Sequence, residues 1–397
     1  MKEIVGTISS PQGFVSGAVH SGVKKKRKDL GIIYSNVPAS VAGVYTTNLV
    51  KAAPVTVNQE KIAASQKIQA IVVNSGNANA CTGEQGTQNA YQMAELTAEK
   101  LGIAPELVAI GSTGIIGKQL AMDKITQGIQ AMDLATNDDA FAEAILTTDT
   151  FTKTVTVEEE IAGKKILISG VAKGSGMIHP NMATMLSYIT TDATISSQNL
   201  QNLLSELTEI TFNQITVDGD TSTNDTVLVL ANAQAGGSEI LPATLEFQQF
   251  KVALRFVMTK LAKLIAQDGE GATKLIEVTV NGAENASDAR MAAKAIVGSS
   301  LVKTAIFGKD PNWGRILCSL GYSGAQINPA EVSLILVGQV IMQDGIVQEF
   351  NQTEMANALA QEVITIEVEL KQGDGMGKAW GCDLTYDYVK INALYTT

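Results

Sequence analysis

A hydroxyl residue behind a small residue, at the end of a glycine-containing approach, suits a chain that cuts itself and keeps the new terminus as a nucleophile. Thr184 has this setting, in Met177-Ile178-His179-Pro180-Asn181-Met182-Ala183-Thr184-Met185-Leu186, preceded by Lys173-Gly174-Ser175-Gly176. Cleavage between Ala183 and Thr184 would let one residue supply both the attacking hydroxyl and the amine that takes its proton. Ala183 offers little steric hindrance, Pro180 disfavours regular helix and the glycines let the approach bend. An α-amino group has a pKa of about 8 against about 10.4 for lysine, so roughly a tenth of it is unprotonated at pH 7. Lys173 competes as a base only if burial lowers its pKa by about two units or more.

Other chemistries lack their residues. The chain has two histidines, His20 and His179. A Ser–His–Asp or Cys–His device would need one of them. His20 has no supporting motif, and His179 stands too close to Thr184 to be more than a local helper. No His-Glu-x-x-His or calcium-loop pattern occurs, so no metal is expected. The three cysteines, Cys81, Cys318 and Cys382, form no Cys-x-x-Cys pair. Gly111 to Lys118 has the wrong glycine spacing for a phosphate loop, and Gln119 stands where a hydroxyl residue is required. Gly111-Ser112-Thr113-Gly114 is a candidate oxyanion site: Gly114 brings a backbone N–H close and Thr113 adds a hydroxyl. One such donor is typically worth ~2.7–4 kcal/mol. On spacing alone the same four residues also read as a strand-to-helix turn.

The 397 residues exceed the usual size of one core, which implies two domains or one large layered unit. A hydrophobic fraction of 45%, a charged fraction of 17% and a net charge of −11 argue for a globular protein and against nucleic acid as a partner. The basic run Lys24 to Lys28 reads as a solvated loop. No segment reaches the ~18 apolar residues of a membrane span. The N-terminus lacks a signal-peptide core, so a cytoplasmic protein is expected.

The elements read as mixed α and β. Strands are expected at 68–74, 107–110, 185–190, 226–231 and 274–280, with a hairpin over 151–171 turning at Gly163-Lys164. Helices are expected at 87–102, 119–133, 137–147, 198–213, 245–267 and 287–297. Paired strands are expected around 332–342, 361–369 and 383–391, and a turn at Gly373 to Gly377. A subdomain boundary is placed near 280–285. The mixture of hairpins and long helices suits a layered α+β fold.

Several motifs resemble those of the ornithine acetyltransferase (glutamate N-acetyltransferase) family. They are Met177 to Leu186, Asn74-Ser75-Gly76-Asn77-Ala78-Asn79-Ala80-Cys81-Thr82-Gly83, Ser112 to Gly117, Val217 to Asp225, Gly308 to Ile316 and the tail Cys382 to Ala393. The resemblance implies an α+β fold, a layered α/β sandwich of the self-processing type with a smaller C-terminal α/β subdomain. It implies an α chain (1–183) and a β chain (184–397) in an α2β2 assembly. Thr184 would take the acetyl group from N2-acetyl-L-ornithine and pass it to L-glutamate, with ping-pong kinetics and no cofactor. Some members also accept acetyl-CoA as donor. By the same match Thr113 and Gly114 stabilise the oxyanion, and substrate contacts come from Thr150, Lys173, Thr184, Glu270, Asn392 and Thr397, with Thr148 a neighbour of Thr150 in the same motif. Two positions depart from the pattern: Thr152 replaces a usual proline, and Leu394 a usual polar residue. An N-terminal-nucleophile aminopeptidase on a related fold, and a non-enzymatic metabolite-binding protein, are the competing readings.

Overall fold

The computed structural model describes residues 1–137, 139–179 and 185–394. Ala183, Thr184 and Thr397, on which the chemistry above was placed, lie outside the described residues. In chain order the elements are β1 (Lys2–Ile4), β2 (Phe14–Val19), β3 (Leu30–Tyr45), α1 (Ala53–Ser65), β4 (Lys67–Asn77), α2 (Gly83–Leu101), β5 (Val108–Ile115), α3 (Met122–Ala131), α4 (Ala140–Ala144), β6 (Lys153–Ile161), β7 (Lys164–Lys173) and β8 (Leu186–Thr191). There follow α5 (Ser197–Ile210), β9 (Ile215–Thr216), β10 (Thr226–Ala231), α6 (Leu245–Gln267), β11 (Leu275–Ala283), α7 (Ala286–Gly298), α8 (Ser300–Phe307) and α9 (Trp313–Gly321). The chain closes with β12 (Ser333–Leu336), β13 (Gln339–Gln343), β14 (Ile346–Val347), α10 (Gln352–Ala358), β15 (Val363–Glu369), β16 (Gly375–Cys382) and α11 (Tyr386–Leu394).

Nine of the described strands form one sheet, in the order β1-β6-β7-β8-β10-β3-β4-β5, with β2 also paired to β3. The sixteen-residue β3 serves β2 with its first half and β10 with its second. Its pairing with β4 breaks between Tyr34 and Ala39. Pro38 lies in that break, where a missing N–H is tolerated. Side chains alternate between the two faces, as strand geometry requires. Val227 and Val229 of β10 join the core under α5 and α6, whereas Leu228 and Leu230 join the core that holds Tyr188 and Phe141. Helix α6 buries Phe250, Leu254, Val257, Leu261 and Ile265 along one stripe, and the Thr244 hydroxyl caps it by accepting from the Phe247 N–H at 3.2 Å.

The second sheet runs β14-β13-β12-β15-β11-β16-β9. It is the smaller C-terminal α/β layer, with α7 packed on β11 and β16. Its strand β9 comes from the middle of the chain, and the expected boundary at 280–285 falls on the end of β11 rather than ahead of it. The segment 383–391 is not a strand. The strand is β16, and α11 follows, with the Thr385 hydroxyl accepting the Asp387 N–H at 3.2 Å. The alternation Leu384, Tyr386, Tyr388 imitates a strand but straddles a helix-starting threonine, Thr385. The Gly373–Gly377 turn is half strand: a Cβ on Gly375 or Gly377 would collide with the backbone of Asn285 or Ala289 in and before α7. The helix expected over 137–147 is reduced to Ala140–Ala144.

Candidate active site

Strands β4 and β5 run parallel, and their ends carry the first part of the site. Gly111 to Gly114 lies within β5 and is not a strand-to-helix turn, since α3 starts only at Met122. Ser112 Oγ donates to Asn74 Oδ1 at 2.6 Å, and Asn224 Nδ2 donates to the carbonyls of Ala78 (2.6 Å) and Ser112 (2.8 Å). These bonds fix the two strand ends together. Gly114 has φ +130°, a conformation that glycine alone takes easily. A Cβ there would also overlap the Gly76 carbonyl carbon and the Asn77 nitrogen. The register puts Gly76 beside Gly114 for the same reason of close approach.

The second part comes from β7 and β8, which pair across the expected cleavage segment, with Lys173 opposite Leu186. Lys173 Nζ donates to Thr113 Oγ1 at 3.4 Å and is 8% exposed. Burial lowers its pKa, aided by the Lys153 charge and opposed by Asp149, Asp225 and Glu270. The third part follows α6. Glu270 Oε2 accepts Asn392 Nδ2 at 2.7 Å, which ties α11 to the cleft. Gly176 presses against this carboxylate, and a Cβ on it would overlap the Glu270 carboxyl group.

Thr113, Gly114, Lys173, Glu270 and Asn392 therefore line one cleft of about 270 Å³. Thr150 does not line it. Asp268 takes its N–H at 3.1 Å and its hydroxyl, turning the side chain toward a neighbouring depression, while Thr147 and Thr148 face the cleft. Asp268 also meets Lys153 Nζ at 2.5 Å, and Asp149 meets the same amine at 2.7 Å. All three are buried. Burial pushes the Asp149 carboxyl up, but Lys173, Lys153 and the Gly174 N–H (2.6 Å) outweigh it and hold the group well below the usual carboxylate range. Lys24, at the head of the expected solvated loop, also turns inward to the Leu146 carbonyl at 3.0 Å, and burial lowers its pKa to about 8.

The sequence reading missed two acids on the cleft wall, Asp218 and Asp225. Asp225 is 1% exposed, and its Oδ2 has no hydrogen-bond partner among the described residues. Burial raises its pKa well above the usual value against the opposing effects of Ser222 and Lys173. Both acids belong to the Val217–Asp225 motif, so their proximity was signalled but not their roles. Among the described residues no group of His, Cys, Asp and Glu is placed to hold a metal ion. No described helix is long and apolar enough to cross a membrane.

The model of the ArgJ family matches residues 15–397. The chain belongs to the ArgJ family. It is 57% identical over 397 residues, the whole of both chains, to the arginine biosynthesis bifunctional protein ArgJ of Streptococcus mutans. The ArgJ protein of Listeria monocytogenes is 54% identical over 398 residues, again covering both chains in full. A crystal structure of ArgJ from Bacillus halodurans is similar with a TM-score of 0.53 and 51% identity, over 53% of this chain and 100% of its own. The chain is thus an arginine-biosynthesis enzyme of the ArgJ family, on the layered α+β fold.

Proposed function

We propose that the chain transfers an acetyl group from N2-acetyl-L-ornithine to L-glutamate through an acetyl ester on Thr184. The observation that carries this reading is one polar cleft holding Lys173, Thr113, Gly114 and Glu270 where β8 begins, two residues after Thr184. Self-cleavage comes first. The Thr184 Oγ attacks the Ala183 carbonyl carbon, the C–N bond breaks, and the hydroxyl proton ends on the departing nitrogen. Water then opens the ester, giving the Ala183 carboxylate and a free Thr184 with hydroxyl and amine.

In the transfer reaction the Thr184 amine takes the hydroxyl proton as Oγ attacks the acetyl carbonyl, and gives it to the leaving α-amine of ornithine. The Gly114 N–H and Thr113 hydroxyl face the developing oxyanion. The Lys173 ammonium suits an α-carboxylate, and the Glu270 carboxylate suits the cationic side chain of ornithine. Asn392 holds Glu270 in place. Thr150 acts through Asp268, and Thr147 and Thr148 are the threonines of that motif on the cleft wall. Glutamate then attacks the acetyl ester with its α-amine and regenerates Thr184. Acetyl-CoA as second donor, and pairing of the two chains into α2β2, belong to the same proposal.

Intact mass, terminal sequencing and acetyl transfer test it together. The wild-type protein should yield a chain beginning Thr184-Met185-Leu186, and Thr184→Ala should remain one chain near 41.8 kDa without transfer. Normal processing of Thr184→Ala would rule out the assigned bond. Acetate released from acetylornithine at equal rates with and without glutamate would mark a hydrolase instead.

A further inference from the structure

The chain just ahead of the expected scissile bond is held residue by residue. Gly174 N–H donates to Asp149 Oδ1 at 2.6 Å, Ser175 Oγ to the Asp268 carbonyl at 2.6 Å, and the Ser175 carbonyl accepts the Glu270 N–H at 3.0 Å. Met177 then takes φ +56°, a left-handed conformation unfavourable for a side chain with a Cβ. One carboxylate secures this turn. Asp218 Oδ2 accepts the Met177 N–H at 2.7 Å, and Oδ1 accepts the Ile178 N–H at 2.8 Å. Two successive N–H groups around a left-handed residue form a concave seat that the carboxylate fills with both oxygens.

The neighbours of Asp218 continue the clamp. Val217 N–H donates to the Ile178 carbonyl at 2.7 Å, Thr221 Oγ1 to the His179 carbonyl at 2.9 Å, and Thr216 Oγ1 shares a hydrogen bond with His179 Nδ1 at 2.9 Å. Tyr388 of α11 reaches Asp218 from the cleft side. The acetyl-transfer steps above call on none of these bonds. They act on the backbone that leads into the bond to be cut.

We propose that Asp218 is a positioning residue for self-cleavage. By fixing the Met177–Ile178 turn it holds the described start of the stretch that carries the bond, so that self-cleavage depends on this carboxylate. This rests on self-cleavage at Ala183–Thr184. After cleavage the same contacts would keep Met177, Ile178 and His179 beside the cleft.

The test follows full-length protein made by cell-free translation, with intact mass and terminal sequence read over time. Asp218→Asn keeps one acceptor oxygen, and Asp218→Ala keeps none. The processing rate constant should fall at least tenfold in Asp218→Asn and further in Asp218→Ala. The transfer kcat of molecules that do cleave should fall by a smaller factor. Hydroxylamine cleaves an ester but leaves an amide intact. The accumulated precursor should therefore resist hydroxylamine at Ala183–Thr184, because the acyl shift itself is blocked. Wild-type processing in Asp218→Asn, or a precursor cut at that bond by hydroxylamine, would overturn the proposal. If Asp218→Ala loses its cooperative thermal transition, Asp218→Asn alone decides. A wild-type protein left uncut at Ala183–Thr184 refutes the self-cleavage reading instead.

Discussion

Charge at single residues is where the proposed reaction is tested first. Glu270→Gln keeps an oxygen for Asn392 but removes the anion that the proposed function assigns to the ornithine side chain. Hydrogen bonds to charged groups contribute about 1.5–3 kcal/mol, so KM for acetylornithine should rise about 10- to 100-fold. Steady-state kinetics with an unchanged KM would remove Glu270 from substrate binding. Asp225 offers a test by pH. Its folded pKa is raised, so the native state binds a proton that the unfolded chain releases near about pH 4. Stability from this group is therefore lost as pH rises from there toward the folded pKa. Asp225→Asn removes the loss, and its stability advantage over wild type should grow between about pH 4.5 and pH 8. Urea midpoints differing by the same amount at both pH values would contradict the buried, proton-holding state.

At the scale of elements, the loop before β6, the end of β7 and the turn after α6 meet on one buried amine. Lys153 Nζ neutralises both Asp149 and Asp268, and these in turn hold Gly174, Thr150 and, through the Asp268 carbonyl, Ser175. Removing one partner of a buried ion pair typically costs about 3–5 kcal/mol, because the remaining charge is uncompensated. Lys153→Met should destabilise by about that amount in chemical unfolding. A loss below about 1 kcal/mol would mean that water reaches the two carboxylates in the folded state. Most elements were legible in sequence because their patterns were long. The stripe of α6 was placed at its observed ends, and the β6–β7 hairpin showed through its alternation and Gly163. The region 383–391 reads as a strand but holds a helix, because an alternation as short as Leu384, Tyr386, Tyr388 does not distinguish a strand from a helix that starts just after Thr385. The short α4 was overextended because Asn137 takes a left-handed conformation and Ile145 already ends the helix.

For the whole molecule, the large sheet interleaves the two pieces that cleavage would produce. Its order places β1, β6 and β7 from residues 1–183 beside β8 and β10 from residues 184–397, and then returns to β3, β4 and β5 of the first piece. Two ladders, β7–β8 and β10–β3, join the pieces through the middle of the core. The cleaved chains should therefore co-elute in size-exclusion chromatography and separate only in denaturant. Separation in native buffer would show that the sheet does not hold across the break.

The sequence by itself determined the chemistry on offer: a histidine-poor chain, a threonine after alanine behind glycines and a proline, and motifs whose family resemblance the comparisons bear out. Those properties depend on residue type and local order. Tertiary structure alone decided which groups meet and in what state. Lys173 and Asp225 are shifted by burial, Thr150 is drawn away by Asp268, and Asp218 comes forty residues along the chain to close on Met177 and Ile178. Desolvation and hydrogen-bond pairing depend on distances between segments remote in sequence, and only packing the two sheets around α6 sets those distances.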